Sequence, residues 1–89
     1  MIEMDVQKTI LFVDDEETIL EIASEHFQNI GYRVLTAKNG REAVRMFEEA
    51  SHVIHCCFTD INMPEMDGLE LAEYLRTHDN TIPVVIMTG

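Results

Sequence analysis

With 89 residues the chain has room for one domain, and 46% hydrophobic with 26% charged residues is a globular rather than a disordered composition. The 17 acidic and six basic residues give a formal net charge of −11, which repels a nucleic-acid backbone unless a local basic patch intervenes. The close basic pair Arg41 and Arg45 is surrounded by glutamates, and no segment approaches the roughly 20 apolar residues of a membrane helix. We therefore expect a soluble, cytoplasmic protein that binds neither nucleic acid nor membrane.

The first strand and the first helix are predicted from a change of hydrophobic period. Thr9–Val13 is a continuous apolar run followed directly by acids, which is typical of a strand buried on both faces. From Glu17 onward apolar residues recur every three or four positions, and Gly31 is expected to end this helix. The predicted buried face of the helix consists of Leu20, Ala23, Phe27 and Ile30.

The second strand and helix follow in the same alternation. Tyr32–Ala37 is the predicted strand. Asn39 then has the spacing of an N-cap, with Glu42 three residues later, so a helix is expected to begin there. Its predicted apolar face consists of Ala43, Val44, Phe47 and Ala50.

The last third of the chain predicts a strand, a helix and a further strand. Val53–Thr59 is the predicted third strand, although His55 interrupts its apolar pattern. Asp67 is the candidate cap of the third helix, whose sheet-facing residues would be Gly68, Ala72 and Leu75. Pro83–Met87 is the predicted fourth strand. This alternation predicts an α/β fold, with right-handed βαβ units forming a doubly wound parallel sheet with helices on both faces.

The adjacent cysteines Cys56 and Cys57 lie inside the third predicted strand. Successive strand residues leave on opposite faces, so this pair can neither chelate one ion together nor easily form a disulfide. We expect both to be reduced packing residues, as is usual in the cytosol.

Three carboxylates are predicted to share one edge of the sheet. Asp14 and Asp15 follow the first strand and Asp60 follows the third. The carboxyl ends of parallel strands form one rim, where ligands bind at the reversal of strand order. Clustered carboxylate oxygens without histidine or thiolate favour Mg²⁺, and the cation offsets their repulsion. The alternative, that Asp14–Glu17 only complement the dipole of the first helix, does not account for Asp60.

The segment "DINMPEMDG" (Asp60–Gly68) matches neither of two known aspartate-containing loops, the EF-hand and the haloacid-dehalogenase phosphatase loop. It is not an EF-hand, because Pro64 occupies a ligand position and Glu65 the glycine position. A haloacid-dehalogenase phosphatase would need a second aspartate at Asn62. There remains an aspartate at a strand end, followed by a loop that Pro64 stiffens.

The motifs "FVDDEE", "DINMPEMDG" and "VVIMTG", in this order and spacing, resemble the receiver domain of two-component response regulators. The resemblance runs from about Lys8 to the last residue and implies a flavodoxin-like fold. It implies a signalling domain, not an enzyme, in which Asp60 accepts a phosphoryl group from a sensor histidine kinase or phosphotransfer protein. The implied cofactor is Mg²⁺, with Asp15 and Asp60 as direct ligands, Asp14 acting mainly through water and Asn62 providing its backbone carbonyl. Thr88 is the implied switch hydroxyl.

The sequence also departs from the family pattern. A receiver domain continues past this threonine with a helix, a fifth strand that supplies a phosphoryl-contacting lysine and an aromatic switch residue, and a final helix. The lysines present here are Lys8 and Lys38, and Lys38 stays a candidate neighbour of the site. We therefore expect one incomplete receiver domain over residues 1–89, with slow or weak phosphorylation.

Two further expectations follow from this departure. Val84–Met87 would be a bare apolar edge, so we expect self-association through this strand across a two-fold axis or by exchange of elements. That the chain is a fragment with no native dimer is an equally economical explanation. The alternative function is a degenerate or truncated receiver that acts as a protein-interaction module without phosphorylation.

Overall fold

The computed structural model describes residues 7–50, 53–78 and 81–88. Within these ranges strands and helices alternate. The elements are β1 (Thr9–Val13), α1 (Glu17–Asn29), β2 (Arg33–Ala37), α2 (Gly40–Ala50), β3 (Cys56–Asp60), α3 (Gly68–His78) and β4 (Val84–Met87). Gly89, the last residue of the third motif, lies outside the described residues.

The described strands form one parallel sheet in the order β2-β1-β3-β4. β1 is central and pairs with both β2 and β3, so the strand order reverses beside it. All five residues of β1 are buried, as its continuous apolar pattern predicts. The predicted doubly wound, flavodoxin-like fold is confirmed.

The sheet packs differently on its two faces. Leu11 and Val13 of β1 join the main core with residues of α2 and α3, including Phe47 and Leu71. On the opposite face Phe12 lies 6.1 Å, centroid to centroid, from both Phe27 of α1 and Phe58 of β3. Helices therefore cover both faces, with α1 on one side and α2 and α3 on the other.

The predicted starts of the second and third helices are confirmed by their hydrogen bonds. The Glu42 backbone N–H donates to Asn39 Oδ1 at 2.8 Å, and the Glu42 carboxylate accepts from Lys38 N–H at 2.8 Å. At α3 the Asp67 and Glu70 side chains each accept from the other's backbone N–H, at 2.8 and 3.0 Å. These reciprocal bonds satisfy N–H groups that the first helical turn leaves without partners.

The structure corrects several sequence predictions. β3 begins at Cys56 rather than Val53, which is 38% exposed, and Asp60 is its last residue rather than the one after it. Ile30 lies beyond the end of α1 and is 58% exposed, so it does not belong to the buried face. Gly31 has φ +104°, in the left-handed region that favours glycine, and does end the helix as predicted.

The two cysteines are free thiols with different surroundings. Cys57 is fully buried, and burial raises the pKa of its thiol to about 12. Cys56 is half-buried, and burial raises the pKa of this thiol too. Alternate strand positions therefore separate the pair, as expected.

None of the helices in the described part of the chain combines the length and the apolar character needed to cross a membrane.

Candidate metal centre

The register of β1 and β3 brings the acids of two motifs together. Val13 of β1 pairs with Thr59 of β3, so the next residues along, Asp14 and Asp60, leave the sheet side by side. The Asp14 N–H donates to Ala37 O of β2 at 3.1 Å, and the Ile61 N–H donates to Met87 O of β4 at 3.2 Å. The backbone on either side of the acids is thus held by the outer strands.

Asp14, Asp15 and Asp60 form a compact group of carboxylates. One oxygen from each lies within 4.8 Å of the others. Asp14 is buried, Asp60 half-buried and Asp15 exposed, so the group opens toward solvent on the Asp15 side. The convergence that the sequence predicted for these three residues is present.

Asp14 is the carboxylate most affected by its surroundings. Burial raises the pKa of this side chain, and repulsion from Asp60 and Asp15 raises it further. A hydrogen bond that Asp14 Oδ1 accepts from the Glu16 N–H, at 2.9 Å, acts in the opposite direction and lowers the pKa. A nearby cation would favour the ionised form of Asp14.

The donor chemistry of this group fits a hard divalent cation. It offers one carboxylate oxygen from each of three side chains, and these oxygens lie close enough together to contact the same ion. The exposed Asp15 leaves one side of the group open to solvent. Mg²⁺ is bound in this manner, by one or two carboxylates with several waters retained. Asn62, whose carbonyl is the further predicted ligand, is exposed and lies two residues after Asp60.

The loop that follows Asp60 folds tightly back on the strand. The Gly68 N–H donates to Ile61 O at 3.0 Å. A Cβ on Gly68 would collide with the carbonyl oxygen of Asp60 and would lie 2.9 Å from Ile61 Cα. Only glycine allows this close approach, so Gly68 helps to fix the backbone that carries Asp60.

Thr88 and Lys38 also lie at the carboxyl edge of the sheet. Asp60 pairs with Met87, so Thr88, which is exposed, comes directly after the strand position opposite Asp60. Lys38 follows β2 directly and lines an open surface groove of about 590 Å³ between α1 and the end of β2. Its other lining residues include Glu17, Glu21 and Glu42.

Sequence reasoning missed the contacts between α2 and the loop. Arg41 Nε lies 2.8 Å from Glu65 Oε1, and Glu65 has φ +69°. A Cβ on Gly40 would lie 2.6 Å from Met66 O. The sequence contains no local signal for these contacts, except that Glu65 stands between Pro64 and Gly68 in a region rich in turn residues.

Comparison with known families gives one clear match. The family model described as "Response regulator receiver domain" matches residues 10–89. The regulatory protein AtoC of Escherichia coli is 37% identical over 80 residues, which are 90% of this chain and 17% of AtoC. The chain spans between 17 and 34% of the length of this and the next curated relatives it matches.

Solved structures agree with the fold. A response regulator receiver domain protein from Clostridium thermocellum is 33% identical and superposes with a TM-score of 0.89, covering 92% of this chain and 65% of that one. The response regulator protein TrrA from Thermotoga maritima, solved in complex with Mg²⁺-BeF, is 36% identical with a TM-score of 0.86. That match covers 92% of this chain and 70% of TrrA.

Proposed function

Because the chain belongs to the response regulator receiver domain family, we propose that it accepts a phosphoryl group on Asp60 in the presence of Mg²⁺. The donor would be a phosphohistidine of a sensor histidine kinase or of a phosphotransfer protein. The observation that carries the proposal is the group of three carboxylates, with oxygens within 4.8 Å of one another, at the carboxyl ends of the paired strands β1 and β3. In this proposal the domain is the acceptor in a cytoplasmic signalling pathway, and it is not an enzyme.

The proposed transfer needs little covalent work from the protein. A carboxylate oxygen of Asp60 attacks phosphorus, the new O–P bond forms as the P–N bond breaks, and the imidazole nitrogen leaves with the electron pair. Such a step depends on in-line positioning and on neutralising charge around the phosphoryl oxygens. The bound Mg²⁺ would supply that neutralisation.

The other residues have supporting roles in the proposal. Asp15 shares the direct coordination of Mg²⁺ with Asp60, and Asp14 contributes mainly through water. The Asn62 carbonyl would complete the protein ligands. Thr88, one residue beyond the partner of Asp60 in β4, would donate its hydroxyl to the new phosphoryl group.

Intact mass after incubation with Mg²⁺ and a small acyl phosphate tests the proposal. We expect one phosphoryl adduct in the wild type and in Glu49→Gln, an exposed α2 variant with the same loss of charge. Asp60→Asn should give none, because the amide has no negatively charged oxygen to act as the nucleophile. The absence of an adduct from the wild type at any Mg²⁺ concentration would remove the proposal.

A receiver that binds a partner without phosphorylation is the second candidate. The position of Lys8 favours this second candidate. Lys8 directly precedes β1, so it lies at the amino ends of the strands, whereas the acids lie at the carboxyl ends. The same mass measurement separates the two candidates, because a receiver that acts without phosphorylation gives no phosphoryl adduct at any Mg²⁺ concentration.

Self-association is a further proposal about partners. β4 is an edge of the sheet as far as the structure describes it, and Val85 on this strand is 41% exposed. An exposed apolar edge strand can pair with the same strand of a second copy or exchange elements with it. Light scattering at micromolar concentrations should show a mass that rises with concentration, and a constant monomer mass would contradict this.

A further inference from the structure

The loop between β3 and α3 contains one strained residue. Glu65 has φ +69°, and it is the one residue other than glycine with positive φ in residues 7–50, 53–78 and 81–88. A side chain in this conformation is disfavoured by about 1–2 kcal/mol relative to the right-handed region. Contacts elsewhere must therefore hold the backbone of Glu65 in place.

The side chain of Glu65 provides one such contact. Its Oε1 lies 2.8 Å from Arg41 Nε at the start of α2. Both side chains are well exposed, so this ion pair contributes modestly to global stability. The ion pair does, however, restrain the loop locally. It joins the loop to the first turn of α2, which the Asn39 cap holds in place.

Backbone packing reinforces this connection. Gly40, directly before Arg41, lies so close to Met66 that an added Cβ would be 2.6 Å from its carbonyl oxygen. The ion pair and this contact thus hold adjacent loop residues, Glu65 and Met66, against adjacent residues of α2. The loop cannot shift along the helix without breaking both.

The start of α2 is also connected to Asp14, the carboxylate that follows β1. Ala37, the last residue of β2, accepts a hydrogen bond from Asp14 N–H. Asn39 then caps α2, one residue before Gly40. The first turn of α2 therefore links the strand that holds the Asp14 backbone to the loop that contains Asn62.

We propose that Arg41 and Glu65 are positioning residues that hold the β3–α3 loop, and the Asn62 carbonyl in it, in the conformation that binds Mg²⁺. The pair touches neither the metal nor the acceptor and acts through the loop backbone. This inference rests on the proposed function, since it assumes that the three carboxylates bind Mg²⁺.

A positioning role can be separated from a purely electrostatic effect by whether each substitution strengthens or weakens Mg²⁺ binding. If only charge mattered, loss of the positive Arg41 would strengthen Mg²⁺ binding and loss of the negative Glu65 would weaken it. If the pair positions the loop, Arg41→Gln and Glu65→Gln both weaken binding. The exchanged pair Arg41→Glu with Glu65→Arg should then recover most of the wild-type affinity.

Arg45 and Glu49 supply matched controls. Arg45 lines the same surface groove as Arg41 and Glu65, and it makes no ion pair with the described residues. Arg45→Gln and Glu49→Gln therefore make the same changes in charge without touching the pair. Mg²⁺ affinity can be read from displacement of Mn²⁺, whose free concentration is measured by electron paramagnetic resonance.

We expect Arg41→Gln and Glu65→Gln each to weaken Mg²⁺ binding about two- to five-fold, the range that an exposed ion pair supports. Hydrogen exchange of the Gly68 amide, measured without metal, should accelerate by a similar factor in both variants and not in the controls. Opposite changes in affinity for the two variants, or changes equal to those of the controls, would overturn the inference while leaving the proposed function intact. A wild type that binds no Mg²⁺ would overturn both.

Discussion

Asp14 has the most strongly defined environment among the acids of the site. Its burial and its charged neighbours Asp15 and Asp60 raise its pKa in the folded chain. The charged form of this side chain therefore opposes folding when no cation is present. A folded pKa above the unfolded one means that the unfavourable contribution is absent below the unfolded pKa and is complete once the pH has risen through the folded pKa.

This predicts the behaviour of Asp14→Asn in metal-free buffer. The amide keeps the oxygen that accepts from Glu16 N–H but carries no charge. At neutral pH we expect the free energy of unfolding to rise by about 1 kcal/mol, a common scale for a single substitution. Urea unfolding at several pH values should show this gain shrinking as the pH falls through the folded pKa of Asp14. A gain that does not depend on pH would contradict the assignment to charge.

Gly68 and Gly31 contribute to stability for different reasons. Gly68 needs its missing Cβ because the backbone of Asp60 and Ile61 occupies that space. Gly31 has open space around it and needs glycine only for its positive φ.

The contrast predicts the effects of alanine at the two positions. Gly31→Ala should cost about 1 kcal/mol, as expected for a left-handed conformation, and should leave the Mg²⁺ affinity unchanged. Gly68→Ala should cost about 1–3 kcal/mol, because fixed backbone must move, and should also weaken Mg²⁺ binding through Asp60. Chemical unfolding and metal titration of both variants check this. Equal Mg²⁺ affinities in the two variants would count against the role given to Gly68.

At the scale of elements, the starts of α2 and α3 depend on local side-chain hydrogen bonds. Asp67 and Glu70 satisfy each other's N–H groups at the start of α3, directly after the loop of the site. Asn39 and Glu42 act similarly at α2, although Glu42 reaches Lys38 N–H instead of the cap residue.

Substitution of Asp67 measures what the α3 cap contributes. Asp67→Ala should lower the free energy of unfolding by about 1 kcal/mol, because the Glu70 N–H loses its acceptor. Asp67→Ser keeps an acceptor oxygen and should lose at most a few tenths. Thermal and urea unfolding of the two variants provide the comparison, and indistinguishable losses would show that the cap bond is not the cause.

The strands show where local pattern is insufficient. β1 matches its prediction because its five residues are all buried and all apolar or threonine. The predicted start of β3 is too early because Val53 and Ile54 look like strand residues, yet Ile54 reaches the core from an irregular segment before the strand. His55 Nδ1 accepts from Thr9 N–H at 3.0 Å, a contact between distant residues that hydrophobic periodicity does not contain.

At the scale of the whole molecule, the net charge of −11 opposes compaction. Added salt screens this repulsion, whereas a bound divalent cation also neutralises the carboxylate group directly. The two effects can be separated by comparing salts at equal ionic strength.

We therefore predict a larger rise in Tm with Mg²⁺ than with Na⁺ at matched ionic strength. Saturating Mg²⁺ at about 100 times its Kd should add about 2.7 kcal/mol of stability beyond screening. Asp60→Asn should lose most of this excess and keep the general salt effect. Identical Tm changes with the two cations would indicate that the carboxylates do not bind Mg²⁺.

The sequence by itself determined the type and order of the elements, the caps of α2 and α3, and the acids that could share an edge. These features depend on apolar runs and on spacings of three or four residues, which are local properties of the chain. Only the tertiary structure decided that β1 and β3 pair in the register that sets Asp14 beside Asp60, that Gly40 and Gly68 meet backbone, and that Arg41 pairs with Glu65. Those contacts join residues that lie seven or more positions apart in the chain, and their geometry is set when the strands pair and the helices pack on the sheet.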